Sequence, residues 1–161
     1  MTLGGVTITD WLNIPATNIG FFATSDALQA ITNTVYTKTK FKTEIYDVGG
    51  NYDPTNSRWK PILTGRYRAD VSLCFVASTF ADYQGFYVVF YKSGAQADGP
   101  ASPMQLAYQG VANLSWSVPI LITETNSYYE LFVWHNSTAA RNLSTNTWYG
   151  RTTIKIEREG P

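Results

Sequence analysis

The side chains able to do chemistry are few and scattered. The chain holds one histidine, His135, in "WHNSTAARN", and one cysteine, Cys74. A lone histidine cannot build a histidine-based metal cluster, and no carboxylate pair beside it suggests a triad. Its polar surroundings in the sequence predict a surface loop. Cys74 falls on the polar side of its strand pattern, with no second cysteine and no histidine near it. An intrachain disulfide is therefore impossible, and a catalytic thiolate has no evident base. Glu124 and Glu130 are neighbours in sequence, but a glycosidase pair requires convergence in space. Asp47 and Asp53 flank a glycine turn where calcium could sit, yet two carboxylates are few for a cation that takes roughly six to eight oxygens. No glycine-rich phosphate loop is present. The expectation is a non-enzyme without cofactor or metal.

Composition narrows the partners. The 161 residues carry 12 basic and 12 acidic side chains, for a net charge of zero. Such a balance offers no field to attract nucleic acid or an anionic membrane, and neither is expected as a partner. The length suits one domain with a core that needs no covalent staples. Charged residues and aromatics each make up 15% of the chain, so much of the polarity comes from Thr, Ser and Asn. That mixture favours strands over helices. The opening "MTLGGVTITDWL" lacks the basic and long apolar regions of a signal peptide. No segment nears the roughly eighteen apolar residues of a membrane span. The sequons at Asn113, Asn136 and Asn142 matter only in a secreted eukaryotic protein.

The elements follow from periodicity. Residues 1–17 read as an arm whose apolar side chains (Val6, Ile8, Trp11, Leu12 and Ile14) are too many for a free tail. It packs either on its own domain or on a neighbouring subunit. Residues 18–161 form the domain. Val35, Phe41 and Ile45 share one face of a predicted strand from Val35 to Tyr46. Tyr67, Ala69, Val71, Leu73 and Phe75 alternate with Arg68, Asp70 and Ser72, the pattern of a strand with one wet face. Trp116, Val118, Ile120 and Ile122 repeat it, with Pro119 opposite, which predicts an edge strand or a bulge. Ile154 and Ile156 do so again. Polar turns are expected at "DVGGNYDPTNS", "KSGAQADGPASP" and "HNSTAARNLSTN".

Two strands break the rule. "GFYVVFY" places Phe86, Val88 and Phe90 on one face, and Tyr87, Val89 and Tyr91 on the other. "YYELFVW" places Tyr129, Leu131 and Val133 on one face, with Tyr128, Phe132 and Trp134 on the other beside Glu130. One face of each suits the core. The second demands a cover, supplied either by another subunit or by the arm or a long loop.

The stretch Phe41–Ala69 resembles the globular domain of the C1q/tumour necrosis factor superfamily. The likeness rests on the turn Asn51-Tyr52-Asp53, the aromatic Trp59, Pro61, and Gly65-Arg66-Tyr67 opening a long strand. "YELFVWHN", a polar loop and Trp148-Tyr149-Gly150 before the last strand extend it over about Asn18 to Glu159. The resemblance implies an all-β, ten-strand antiparallel jelly-roll sandwich that assembles as a homotrimer. It implies inner-sheet positions, facing the threefold axis, for the two unusual strands. Tyr87, Val89, Tyr91, Tyr128, Phe132 and Trp134 are then the expected trimer interface.

Domains with similar wording occur in phage and bacterial proteins. The expected role is a capsid decoration or cement protein on the virion surface, whose arm docks on the major capsid protein or another virion protein. The alternative is a trimeric receptor- or glycan-binding module of a phage tail or cell surface, presenting the loops Ala95–Ser102 and Asn136–Asn146.

Overall fold

The structure, a computed structural model, describes residues 2–3, 6–7, 19–76, 84–101, 105–107, 113–145 and 151–161. Those residues form strands and turns, with no helix among them. Of the expected arm, β1 (Thr2–Leu3) and β2 (Val6–Thr7) pair as a small antiparallel ladder. Ile8, Trp11, Leu12 and Ile14 lie outside the described residues.

Along the rest of the chain run β3 (Gly20–Thr24), β4 (Gln29–Ile31), β5 (Thr37–Lys38), β6 (Thr43–Val48), β7 (Tyr52–Asp53), β8 (Arg58–Trp59) and β9 (Gly65–Cys74). They are followed by β10 (Gln84–Lys92), β11 (Ala95–Ala101), β12 (Gln105–Ala107), β13 (Asn113–Ile122), β14 (Tyr129–His135), β15 (Arg141–Leu143) and β16 (Thr153–Gly160).

Two antiparallel sheets carry the architecture. One has the order β13-β9-β16-β3-β6. The other runs β11-β10-β14-β8-β7, with β12 also on β10 and β5 also on β14. Tyr67, Ala69, Val71 and Leu73 from β9, Trp116 to Ile122 in alternation from β13, and Ile154 and Ile156 from β16 are buried on the inner side of the first sheet. Phe86, Val88, Phe90, Leu131 and Val133 meet them from the second, within one continuous core. A period-two pattern with one apolar face buries itself this way, and each large apolar side chain buried contributes about 1.5–3 kcal/mol. Pro119 sits on β13, which among the described residues pairs with β9 alone and forms the sheet edge, where strands tolerate proline.

The segment "DVGGNYDPTNSRW" crosses between sheets. β6 belongs to the first, β7 and β8 to the second, and β9 returns to the first. Gly49 and Gly50 both take positive φ, 115° and 62°, which opens the turn. Asp47 Oδ2 accepts the Tyr52 N–H at 2.8 Å, and Asp53 accepts from the Asn56 N–H and side-chain amide at 3.1 and 2.7 Å. Tyr52 stacks on Phe21 at 4.1 Å and donates its hydroxyl to Phe41 O. Trp59, 2% exposed, packs against Tyr67 of one sheet and Tyr129 of the other, at 5.0 and 5.5 Å.

Several expectations are corrected. Val35 to Tyr46 is not one strand: Phe41 is buried, but Val35 and Ile45 are exposed. The β3–β6 register shifts between Phe22 and Ala23, whose partners are Tyr46 and Glu44, so Ile45 is the unpaired residue of a bulge and leaves the core face. The expected turn at Ala95–Ser102 holds β11, paired to β10 through a Ser93-Gly94 turn with φ of 48° and 84°. Positive φ at both central residues is what the type I′ form of a two-residue hairpin requires. The expected loop after His135 likewise holds β15, paired with β4.

Candidate interaction site

β10 and β14 lie side by side, with Tyr87 opposite Trp134, Val89 opposite Phe132 and Tyr91 opposite Glu130. The register gathers the non-core faces of both strands into one surface. Tyr87 and Trp134 meet edge-on at 5.4 Å, Tyr91 and Phe132 stack at 3.9 Å and 22°, and Tyr36 adds a third ring 6.2 Å from Tyr91. Val89 at its centre is 1% exposed although it stands outside the core cluster. The rings around it are half-buried, and Tyr36 is exposed. Five of the six residues expected at a subunit interface therefore share one face, and Tyr128 lies at its end. Both strands belong to the same sheet, which is the one that does not contain β3, β9, β13 and β16.

The end of this face is ionic. Glu130 is buried and accepts from Lys38 Nζ at 2.6 Å and Arg58 Nε at 2.8 Å. Burial pushes its carboxyl up, but the hydrogen bonds from Arg58 and Lys38 outweigh that and hold it below the ordinary glutamate range. The Arg58 guanidinium also lies 4.3 Å from the centre of the Tyr128 ring. Sequence reasoning saw Glu130 as an interruption in an aromatic row. Nothing in the spacing reveals its two cations, which come from strands far away in the chain.

The outward side of the other sheet contrasts with it. Arg66, Arg68, Asp70, Ser115, Ser117 and Pro119 are exposed there, and Arg68–Glu159 and Lys155–Glu157 form ion pairs at 2.6 and 2.8 Å. Leu121 and, on β6, Ile45 are its strongly exposed large apolar side chains among the described residues.

Two candidate chemical residues are corrected. His135 is wholly buried at the end of β14 instead of on a surface loop. Its Nε2–H donates to Ile31 O at 2.9 Å, which makes Nδ1 the acceptor for the Ser137 N–H at 3.2 Å. Ser137 Oγ lies 2.7 Å from Nδ1 and 2.8 Å from Ala139 O. Burial, ahead of the Arg141 charge, lowers its pKa; the bond to Ile31 opposes this. Cys74 is buried too, and burial raises its thiol pKa, so it has the character of an inert core thiol. Asp47 uses Oδ2 in the turn described above, while its Oδ1 is buried with no hydrogen-bond partner among the described residues, and each Asp53 oxygen accepts one bond from Asn56. Glu124 pairs with Lys92 and accepts from Ser127, away from Glu130's partners. Among the described residues no group of three or more His, Cys, Asp or Glu side chains is placed to hold a metal.

Neither a family model nor a curated protein sequence matches this chain. Solved structures do. The Eiger TNF structure from S. frugiperda superposes with a TM-score of 0.54 over 88% of this chain and 92% of that one, at 11% identity. The chain has a TNF-like jelly-roll fold. At this identity the likeness concerns the path of the backbone and the pairing of its sheets, and function must be argued from the surface.

Proposed function

We propose that the chain is a structural protein that associates as a homotrimer through the aromatic face of β10 and β14. The observation that carries this is the stacked row Tyr87–Trp134 and Tyr91–Phe132 with Tyr36, on the face of a sheet turned away from the core. A contiguous aromatic surface of this kind is rare on a monomer and common at the centre of interfaces. The opposite sheet, with its exposed ion pairs, is suited to water. As the finer reading, the trimer decorates a viral particle, its arm docking on a shell subunit. The wording of "FKTEIYDVGGNYD" and the apolar residues of 1–17 support that setting.

Two variants test it. Tyr91→Glu with Phe132→Ser should yield monomers, whereas Lys155→Ala on the other sheet should leave the trimer intact. A trimer that survives the first change uses a different surface. Deleting residues 1–17 should leave a folded trimer that no longer binds particles; unchanged binding removes the arm from the account. A second reading, display of a small-ligand site, is favoured by a cleft beside Tyr128.

A further inference from the structure

Where the β7–β8 hairpin approaches the loop between β13 and β14, a cleft of about 590 Å³ opens. That lies within the range of roughly 300–1,000 Å³ typical of small-molecule sites. Asn51, Asp53, Arg58, Lys60, Ile62 and Tyr128 are the side chains of its wall that matter here.

Their chemistry is specific. Arg58 spends Nε on Glu130 and rests on the Tyr128 ring, so its plane is fixed, and its two terminal nitrogens have no ion-pair partner among the described residues. Lys60 is exposed and makes no ion pair among the described residues, while its backbone N–H is anchored on Asn51 O at 2.7 Å. Asp53 supplies an ionised acceptor; the Asn56 side-chain amide leads the interactions that keep its carboxyl below the usual range. Asn51 is 5% exposed, and neither atom of its amide has a partner among the described residues, an unmet demand for hydrogen bonds in the wall. Ile62 is an exposed apolar edge.

Two cations and one carboxylate leave the wall with a single positive charge. A monoanion matches that charge. A dianionic phosphate would face Asp53, and a zwitterion would leave the excess unmatched. Asp53 can only accept, so the ligand must bring hydroxyl donors. The apolar edge suits a face of C–H groups.

We propose that this cleft binds a carboxylate-bearing saccharide, with its carboxylate on Arg58 and Lys60, a hydroxyl on Asp53 and a ring face against Ile62. All six residues come from one chain, so the site does not depend on self-association, and the solution mass of the same sample tells the two questions apart.

The test is calorimetric titration of the intact chain with galacturonate, glucuronate and sialic acid oligosaccharides, and with their neutral counterparts. At least one acidic sugar should bind, more tightly than its neutral counterpart, and Lys60→Gln should weaken it about tenfold, the size of one lost charge-assisted hydrogen bond. Lys60 is a surface side chain, so the variant should melt with the wild type. Rising salt should weaken binding in parallel. The proposal is overturned by equal binding of neutral sugars, by acidic-sugar binding indifferent to Lys60→Gln, or by no saturable binding up to roughly 10 mM.

Discussion

At the residue scale, the two most consequential side chains are Trp59 and His135. Trp59 was legible: an aromatic straight after an Asn-Tyr-Asp-Pro turn has to go somewhere dry, and it joins Tyr67 to Tyr129 across the sheets. Trp59→Ala should cost about 3–5 kcal/mol in urea unfolding, the usual loss for a buried tryptophan. His135 was not legible, because Asn, Ser and Thr around it imitate a solvated loop while the imidazole is claimed by Ile31 O from a distant strand. Its pKa is lowered in the fold from 6.5, so the folded protein favours the neutral ring. The unfolded chain then binds the extra proton first. The stabilisation is complete above pH 6.5, and it declines as pH falls from there through the folded pKa. A protonated Nδ1 would also confront the Ser137 N–H donor. Stability should therefore begin to fall as pH drops below 6.5, above the range where carboxylates titrate. His135→Gln should remove that slope, since the chain has no other histidine.

At the element scale, strands with clean alternation were readable and short strands were not. β9, β13 and β16 announce themselves because one face is apolar and the other polar. β5, β7, β8, β11 and β15 have no such signature; their place is set by the backbone of a neighbouring strand, which local sequence does not encode. The bulge at Ile45 belongs to the same class. Close approach between elements is equally silent. A Cβ placed on Gly20 would stand 2.2 Å from Ile156 O, so β3 and β16 can pair at this distance only with glycine there. Gly20→Ala should destabilise the protein by about 1–3 kcal/mol, the range for overpacking a tight contact, measured as a shift in urea midpoint. A neutral result would mean that the β3–β16 ladder can part without loss.

At the scale of the whole molecule, the sequence carried the sandwich and the anomaly within it. The apolar second face of β10 and β14 was visible from spacing alone, and register explains how it becomes one surface: Tyr87 meets Trp134, and Val89 meets Phe132. The ionic cluster of Glu130 and the cleft at Lys60 depend on long-range pairing and were hidden. Two half-buried aromatic pairs, an exposed Tyr36 and a valine that is already dry make a surface that gains by closing against another, at roughly 1.5–3 kcal/mol for each large side chain fully buried. The most direct measurement is the solution mass of the purified chain by light scattering during size exclusion. The account predicts a species three times the 18.0 kDa chain mass, stable on dilution. A single species at 18.0 kDa would contradict it and leave the aromatic face for another partner.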